Sequence, residues 1–168
     1  MASTMKVLEI LHSEPNAREI QVKGWVRSFR SNRFIALNDG STIKNLQCVV
    51  DFENFSQEVL DKITVGAAIA VAGLLVESQG SGQAVELQVQ SIDILGVADP
   101  EEVKYTILSP KRHSLEFLRE QAHLRIRTTT LSAIMRVRSA LAFAIHKYFK
   151  EKGFFYIHTP IITGSDAE

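Results

Sequence analysis

The sequence predicts a mainly β chain with added α structure: a five-stranded domain followed by a region that a long helix dominates. Three observations carry this. Five segments with strand patterning lie between Glu19 and Leu95, a single helical pattern separates the third from the fourth, and after Asp99-Pro100 the apolar spacing changes to steps of three and four.

Residues 4–13 pattern as a short helix, with Val7, Leu8, Ile10 and Leu11 apolar. Glu19–Arg30 is the first strand; Ile20 and Val22 alternate with Gln21 and Lys23, and Gly24 interrupts the run as a glycine does at a bend or bulge. Phe34–Leu37 is the second, ended by the turn signal Asn38-Asp39-Gly40-Ser41. Leu46–Phe52 is the third. Residues 53–63 set Phe55, Val59, Leu60 and Ile63 at helical spacing. Ala67–Val76 is an apolar fourth strand, and the loop SQGSGQ at 78–83 leads into a fifth, Ala84–Leu95. Five strands with a helix between the third and fourth follow the order of an OB-fold, a small Greek-key barrel whose strand face and loops bind single-stranded nucleic acid or sugars. SH3-like barrels share the strand count, and the intervening helix favours the OB order.

Asp99-Pro100-Glu101-Glu102 marks a hinge, and Ser114–His123 a short helix. Thr130–Lys152 is a long amphipathic helix with Ile134, Val137, Leu141, Ile145 and Tyr148 on one face, Thr130 as its N-cap and Gly153 at its left-handed end. Phe154–Ile157 then starts a strand that ends near Pro160, which has no amide hydrogen to donate. The expected domains are 1–98, a linker at 99–129, and 130–168, where the chain stops with neither a polar tail nor a terminal helix, as an N-terminal fragment would.

Composition excludes several classes. With 168 residues, 45% hydrophobic and 23% charged, the chain is outside the disordered range. No apolar run approaches the ~18 residues of a membrane span, and the N-terminus lacks the layout of a secretory signal. Cys48 is the single cysteine, so no internal disulfide forms and the thiol reads as a small core group. Five histidines show no ligand spacing, and no metal site is expected. The expectation is a soluble, cytoplasmic protein with no membrane partner. Net charge is zero but uneven: residues 1–100 hold eight Lys/Arg against twelve Asp/Glu, and residues 101–168 eleven against seven. Lys23, Arg27, Arg30, Arg33 and Lys44 face Asp39 alone, a strip that is either a solvated strand face or a footprint for phosphates.

Four stretches carry a resemblance: GWVRSFR at 24–30, LNDGSTIKNLQ at 37–47, KRHSLEFLREQAHLRIRT at 111–128 and GFFYIHTPIITGSDAE at 153–168. Together they resemble the class II aminoacyl-tRNA synthetases of the aspartate/asparagine/lysine subgroup, and within it the asparagine enzymes, over essentially the whole chain. Phe29 stands where that family usually has arginine, and Ile126 where it commonly has proline. The resemblance implies an OB-fold that binds the anticodon, a hinge, and the first helix–strand unit of a class II catalytic domain. It also implies asparagine activation with ATP and Mg2+ in the full-length enzyme, transfer to a tRNA with a GUU anticodon, and a homodimer. No cofactor is expected on these residues by themselves, because the second and third class II motifs are absent. Rival readings are an aspartate–tRNA ligase, including dual-specificity relatives, and a stand-alone OB nucleic-acid-binding module.

From residue type alone, Phe34 is either a core ring or one that stacks on a base; the resemblance implies stacking on the central anticodon base, with Phe29 the alternative should the short loop shift the register. Gln47, between Leu46 and Cys48, is an unpartnered outward amide or, by the resemblance, the group that reads uracil. Arg30 is a surface arginine or an anticodon contact through phosphate or base, and Glu86 an outward strand charge or the acceptor for the first anticodon base, guanine. The resemblance further implies that Glu168 holds the ammonium group of the amino acid and that Pro160 lies in the dimer interface.

Overall fold

The structure is a computed structural model that describes residues 3–80, 82–109, 111–158, 162 and 164. The chain divides into two compact units, Met1–Ser132 and Ala133–Glu168.

The first unit is built on one mixed sheet of six strands. β1 (Ser3–Thr4) runs parallel to β2 (Glu19–Arg30), and β3 (Phe34–Asn38), β4 (Leu46–Val49), β5 (Ala68–Glu77) and β6 (Val85–Gly96) complete it. The order is β1-β2-β3-β4-β6-β5, and β5 also pairs with β2. The five long strands are the five expected from the sequence; the two-residue β1 had no pattern to announce it and brings the count to six. The twelve-residue β2 gives its first half to β5 (Glu19↔Leu74 to Trp25↔Ala68) and its second half to β3 (Trp25↔Asn38 to Arg30↔Phe34), so one strand turns the sheet back on itself. β6 crosses closely over β5 at Gly73, where the register shifts: a Cβ there would lie 1.9 Å from the Gln88 carbonyl oxygen. Only glycine fits that approach.

Period-two alternation sends Ile20, Val22, Ile35, Leu37, Leu46 and Cys48 into a fully buried core. Burial pushes the Cys48 thiol up to about 12. α1 (Val7–Leu11) plugs one side with Val7 and Ile10, both fully buried. Its free N-terminal amides are met by the 38–41 turn: Val7 N–H donates to Asp39 Oδ2 and Leu8 N–H to Ser41 Oγ, each at 3.0 Å. Burial raises the Asp39 carboxyl's pKa, but the bonds it accepts from Ser41 and Val7 outweigh that and hold it below the ordinary value. The helix between the third and fourth long strands is split, into a 3₁₀ turn at Phe52–Asn54 and α2 (Gln57–Asp61).

Residues after Asp99 are folded rather than extended. Asp99 caps α3 (Pro100–Val103) through Glu101 N–H at 2.8 Å, and Val103 and Ile107 are buried. Gln121, just past α4 (Leu115–Glu120), accepts from Ile107 N–H and donates to Tyr105 O, each at 3.0 Å.

The second unit holds most of α5 (Thr129–Glu151). The helix begins at Thr129, with Ser132 N–H bonded to Thr128 O at 2.9 Å, so Thr130 lies inside it and is not the cap. Its end is a Schellman motif. Gly153 sits at φ +84°, its N–H reaches Lys150 O, Phe154 N–H reaches Phe149 O, both at 3.0 Å, and the Phe149 and Phe154 rings meet edge to face. No residue of α5 is buried; Ile134, Val137, Leu141, Ile145 and Tyr148 are each more than half exposed. Phe154–Ile157, expected as a strand, has no strand pairing: an extended segment becomes a strand only when a neighbour takes up its N–H and C=O groups. Pro160 and Glu168 lie outside the described residues.

Candidate nucleic-acid interface

A three-residue loop, residues 31–33 between β2 and β3, builds the site. Ser31 and Asn32 both adopt the left-handed region (φ +53° and +48°), and Arg33 N–H closes the turn on Arg30 O at 3.0 Å. Both positive φ values belong to a type I′ turn, whose twist suits paired strands. The turn sets Arg30 directly opposite Phe34. Ile35 and Leu37 take the inner face of β3, which leaves Phe34 half-buried on the outer face. The Arg33 guanidinium stands 5.7 Å from the centre of its ring. On β4, the inward positions go to Leu46 and Cys48, so Gln47 also points outward, in register with Ala36 and one diagonal step from Phe34.

Glu86, at the start of β6, is 8% exposed and is the one buried charged side chain among the described residues. Its Oε2 accepts from Gln47 Nε2 at 3.1 Å and from Ser78 Oγ at 3.0 Å. Gln83 Oε1 takes the Gln47 backbone N–H at 3.4 Å.

Arg30, Phe34, Gln47 and Glu86 line one open depression of about 460 Å3, together with Arg33 and Gln79. It offers an aromatic face, a half-buried amide, a carboxylate at its base and two guanidiniums, a set suited to a planar base attached to a phosphate chain. Phe29 is elsewhere. It pairs with Ile35, packs on the core and borders a separate cavity of about 310 Å3 with Ile63, Pro100 and Val103. The basic strip also divides: Arg27 is absent from the depression, and burial lowers its guanidinium's pKa. Arg127, its pKa lowered by burial and then by the Arg27 charge, lies 4.7 Å over the Trp25 ring. Arg33 comes from the basic strip read in the sequence, whereas sequence reasoning missed Ser78 and Gln79, because a loop serine or glutamine carries no local sign of which strand its side chain meets. Among the described residues, no group of three or more His, Cys, Asp or Glu side chains is placed to hold a metal ion.

Residues 20–95 match the family described as an OB-fold nucleic acid binding domain, and residues 114–168 match class II tRNA synthetases (D, K and N). The asparagine–tRNA ligase of Cytophaga hutchinsonii is 52% identical over 98% of this chain and 36% of its own length; that of Parabacteroides distasonis is 53% identical over 97% and 35%. Over nearly its whole length this chain is a homologue of asparagine–tRNA ligases. It spans about a third of the length of the curated relatives it matches. Among solved structures, the asparaginyl-tRNA synthetase of Pyrococcus horikoshii superposes with a TM-score of 0.78 at 21% identity, covering 97% of this chain and 39% of that one. The Entamoeba histolytica asparaginyl-tRNA synthetase in complex with asparaginyl-adenylate gives 0.80 at 20% identity, covering 98% and 39%. At those identities the likeness speaks for the fold, an OB domain followed by the beginning of a class II synthetase domain.

Proposed function

We propose that this chain is the anticodon-reading part of an asparagine–tRNA ligase, with the five long strands of the sheet acting as the OB barrel. The observation that carries the proposal is the meeting of Arg30, Phe34, Gln47 and Glu86 in one depression on the outer face of the sheet. Phe34 stacks on the central base, Gln47 reads its uracil edge, Arg30 holds the backbone or base beside it, and Glu86 serves the first base. The domains are 1–98 for anticodon binding, 99–129 as linker and 130–168 as the start of the catalytic domain.

The whole enzyme activates asparagine with ATP and Mg2+, charges a tRNA bearing GUU, and works as a homodimer in the cytoplasm. Glu168 holds the amino acid's ammonium group and Pro160 lies between subunits. The described residues hold no acidic cluster fit for Mg2+, so no activation step is assigned to them. The asparagine relatives support this specificity over aspartate.

Fluorescence titration with anticodon stem-loop RNA tests the reading. The GUU stem-loop is expected to bind more tightly than one with GUC, the aspartate anticodon, and than one with its central uracil replaced. Equal affinity for all three contradicts it.

A further inference from the structure

Gln47 carries the one amide that lines the depression from a strand, and an amide is ambivalent. Turned one way, its carbonyl and N–H match the N3–H donor and carbonyl acceptor of uracil. Turned by 180° about its last torsion, the same group matches the N3 acceptor and amino donor of cytosine. The two pyrimidines present opposite orders along their pairing edges, so an unrestrained glutamine accepts both. Stacking on Phe34 cannot separate them either, since every base offers a π-face.

What restrains Gln47 is Glu86. A carboxylate only accepts hydrogen bonds, so the group facing Oε2 at 3.1 Å is necessarily the amide nitrogen. Ser78 donates to that same oxygen at 3.0 Å, which holds the carboxylate in place, and the Glu86 side chain is 8% exposed. Gln47 Oε1 accepts no hydrogen bond among the described residues, and one Nε2 hydrogen remains unspent. Reversing the amide would set its carbonyl oxygen against the carboxylate and discard a charge-assisted hydrogen bond.

We infer that Glu86 is a specificity-determining positioning residue: by locking the orientation of the Gln47 amide, it makes the depression accept uracil and reject cytosine at the base that Gln47 reads. This rests on the anticodon reading above and gives Glu86 a second part in it, control of the central base through Oε2. Ser78 belongs to the same device as the anchor of the carboxylate.

The test compares stem-loops with GUU and GCU anticodons, titrated against the full chain and its Glu86→Gln variant. A neutral amide at 86 can donate or accept, so Gln47 is free to turn. The uracil-over-cytosine affinity ratio is expected to fall about tenfold, the value of one charge-assisted hydrogen bond. A stem-loop with AUU, carrying adenine at the first base, is titrated alongside. Affinity for GUU should change less than about threefold. An unchanged uracil/cytosine ratio overturns the inference, as does a loss confined to the first base, which would make Glu86 a direct reader. If circular dichroism shows Glu86→Gln unfolded, Ser78→Ala decides: a two- to fivefold drop in the same ratio supports the lock, and no drop overturns it. A wild-type chain that ignores the central base defeats the anticodon reading itself, whereas a wild-type preference that survives both variants defeats only the lock.

Discussion

The two units of this chain solve the burial of apolar surface in opposite ways. In Met1–Ser132, alternation along β2–β6 delivers every second side chain to a common interior, and Ile20, Val22, Ile35 and Leu37 lose all contact with water. In Ala133–Glu168, the residues that make α5 amphipathic remain in solvent: Val137 is 59% exposed, Leu141 58% and Ile145 58%. A sheet that turns back on its own first long strand, β2, supplies its own interior, while the described residues of the second unit bury none of the apolar face of α5. The same hydrophobic side chain is therefore worth very different amounts in the two places.

Substitutions can break or sharpen that contrast. The largest effect is expected at Gly73→Val, which drives a side chain into the Gln88 carbonyl; a loss of more than about 4 kcal/mol, seen as absent cooperative unfolding in urea, matches the crowding there. Leu37→Ala, in the core, should cost about 2–5 kcal/mol, while Leu141→Ala, on the helix, should stay within about 0.5 kcal/mol in the same urea titration. Equal costs would contradict the contrast between buried Leu37 and exposed Leu141.

Phe34→Ala should leave the unfolding midpoint nearly unchanged and weaken stem-loop binding by about 1–3 kcal/mol, because its half-buried ring lies outside the core. Lost circular dichroism in this variant would return Phe34 to the core. The exposed stripe of α5 favours association, so sedimentation should show mass rising with concentration, and Leu141→Lys with Ile145→Lys should reduce it. A clean monomer at high concentration contradicts this.

The smallest effect concerns pH. Asp39's folded pKa is depressed, so its bonds to the start of α1 stabilise the first unit above the unfolded carboxylate value of about 3.9 and are lost as pH falls through the folded one. Asp39→Asn should therefore lower the urea midpoint at neutral pH, have its smallest effect at acid pH, and so flatten the acid limb of a stability–pH curve.

Much of this was legible in the sequence. Period two in β2 and β6, the apolar run of β5 and the loop signals between them placed all five long strands within a few residues, because local pattern and tertiary burial agree there. Gly153 ended α5 as its φ requires. Features that depend on distant partners were not legible. Ser3–Thr4 is a strand only because β2 offers a free edge beside it, and α1 takes its amide partners from a turn more than thirty residues away. Phe154–Ile157 has strand-like composition but no ladder to join. At the site, residue types suggested Arg30, Phe34, Gln47 and Glu86 one at a time; that Gln47 and Glu86 bond to each other, and that Ser78 anchors them, follows from the β4–β6 pairing, which no local pattern encodes.

The most direct measurement is a 15N–1H NMR titration of the chain with the GUU stem-loop. Binding through the outer face of the sheet predicts that amide shifts concentrate around residues 30–34, 47–49 and 78–86, with α5 unaffected. Shifts confined to residues 134–158, or none anywhere under conditions that saturate the RNA, would contradict it.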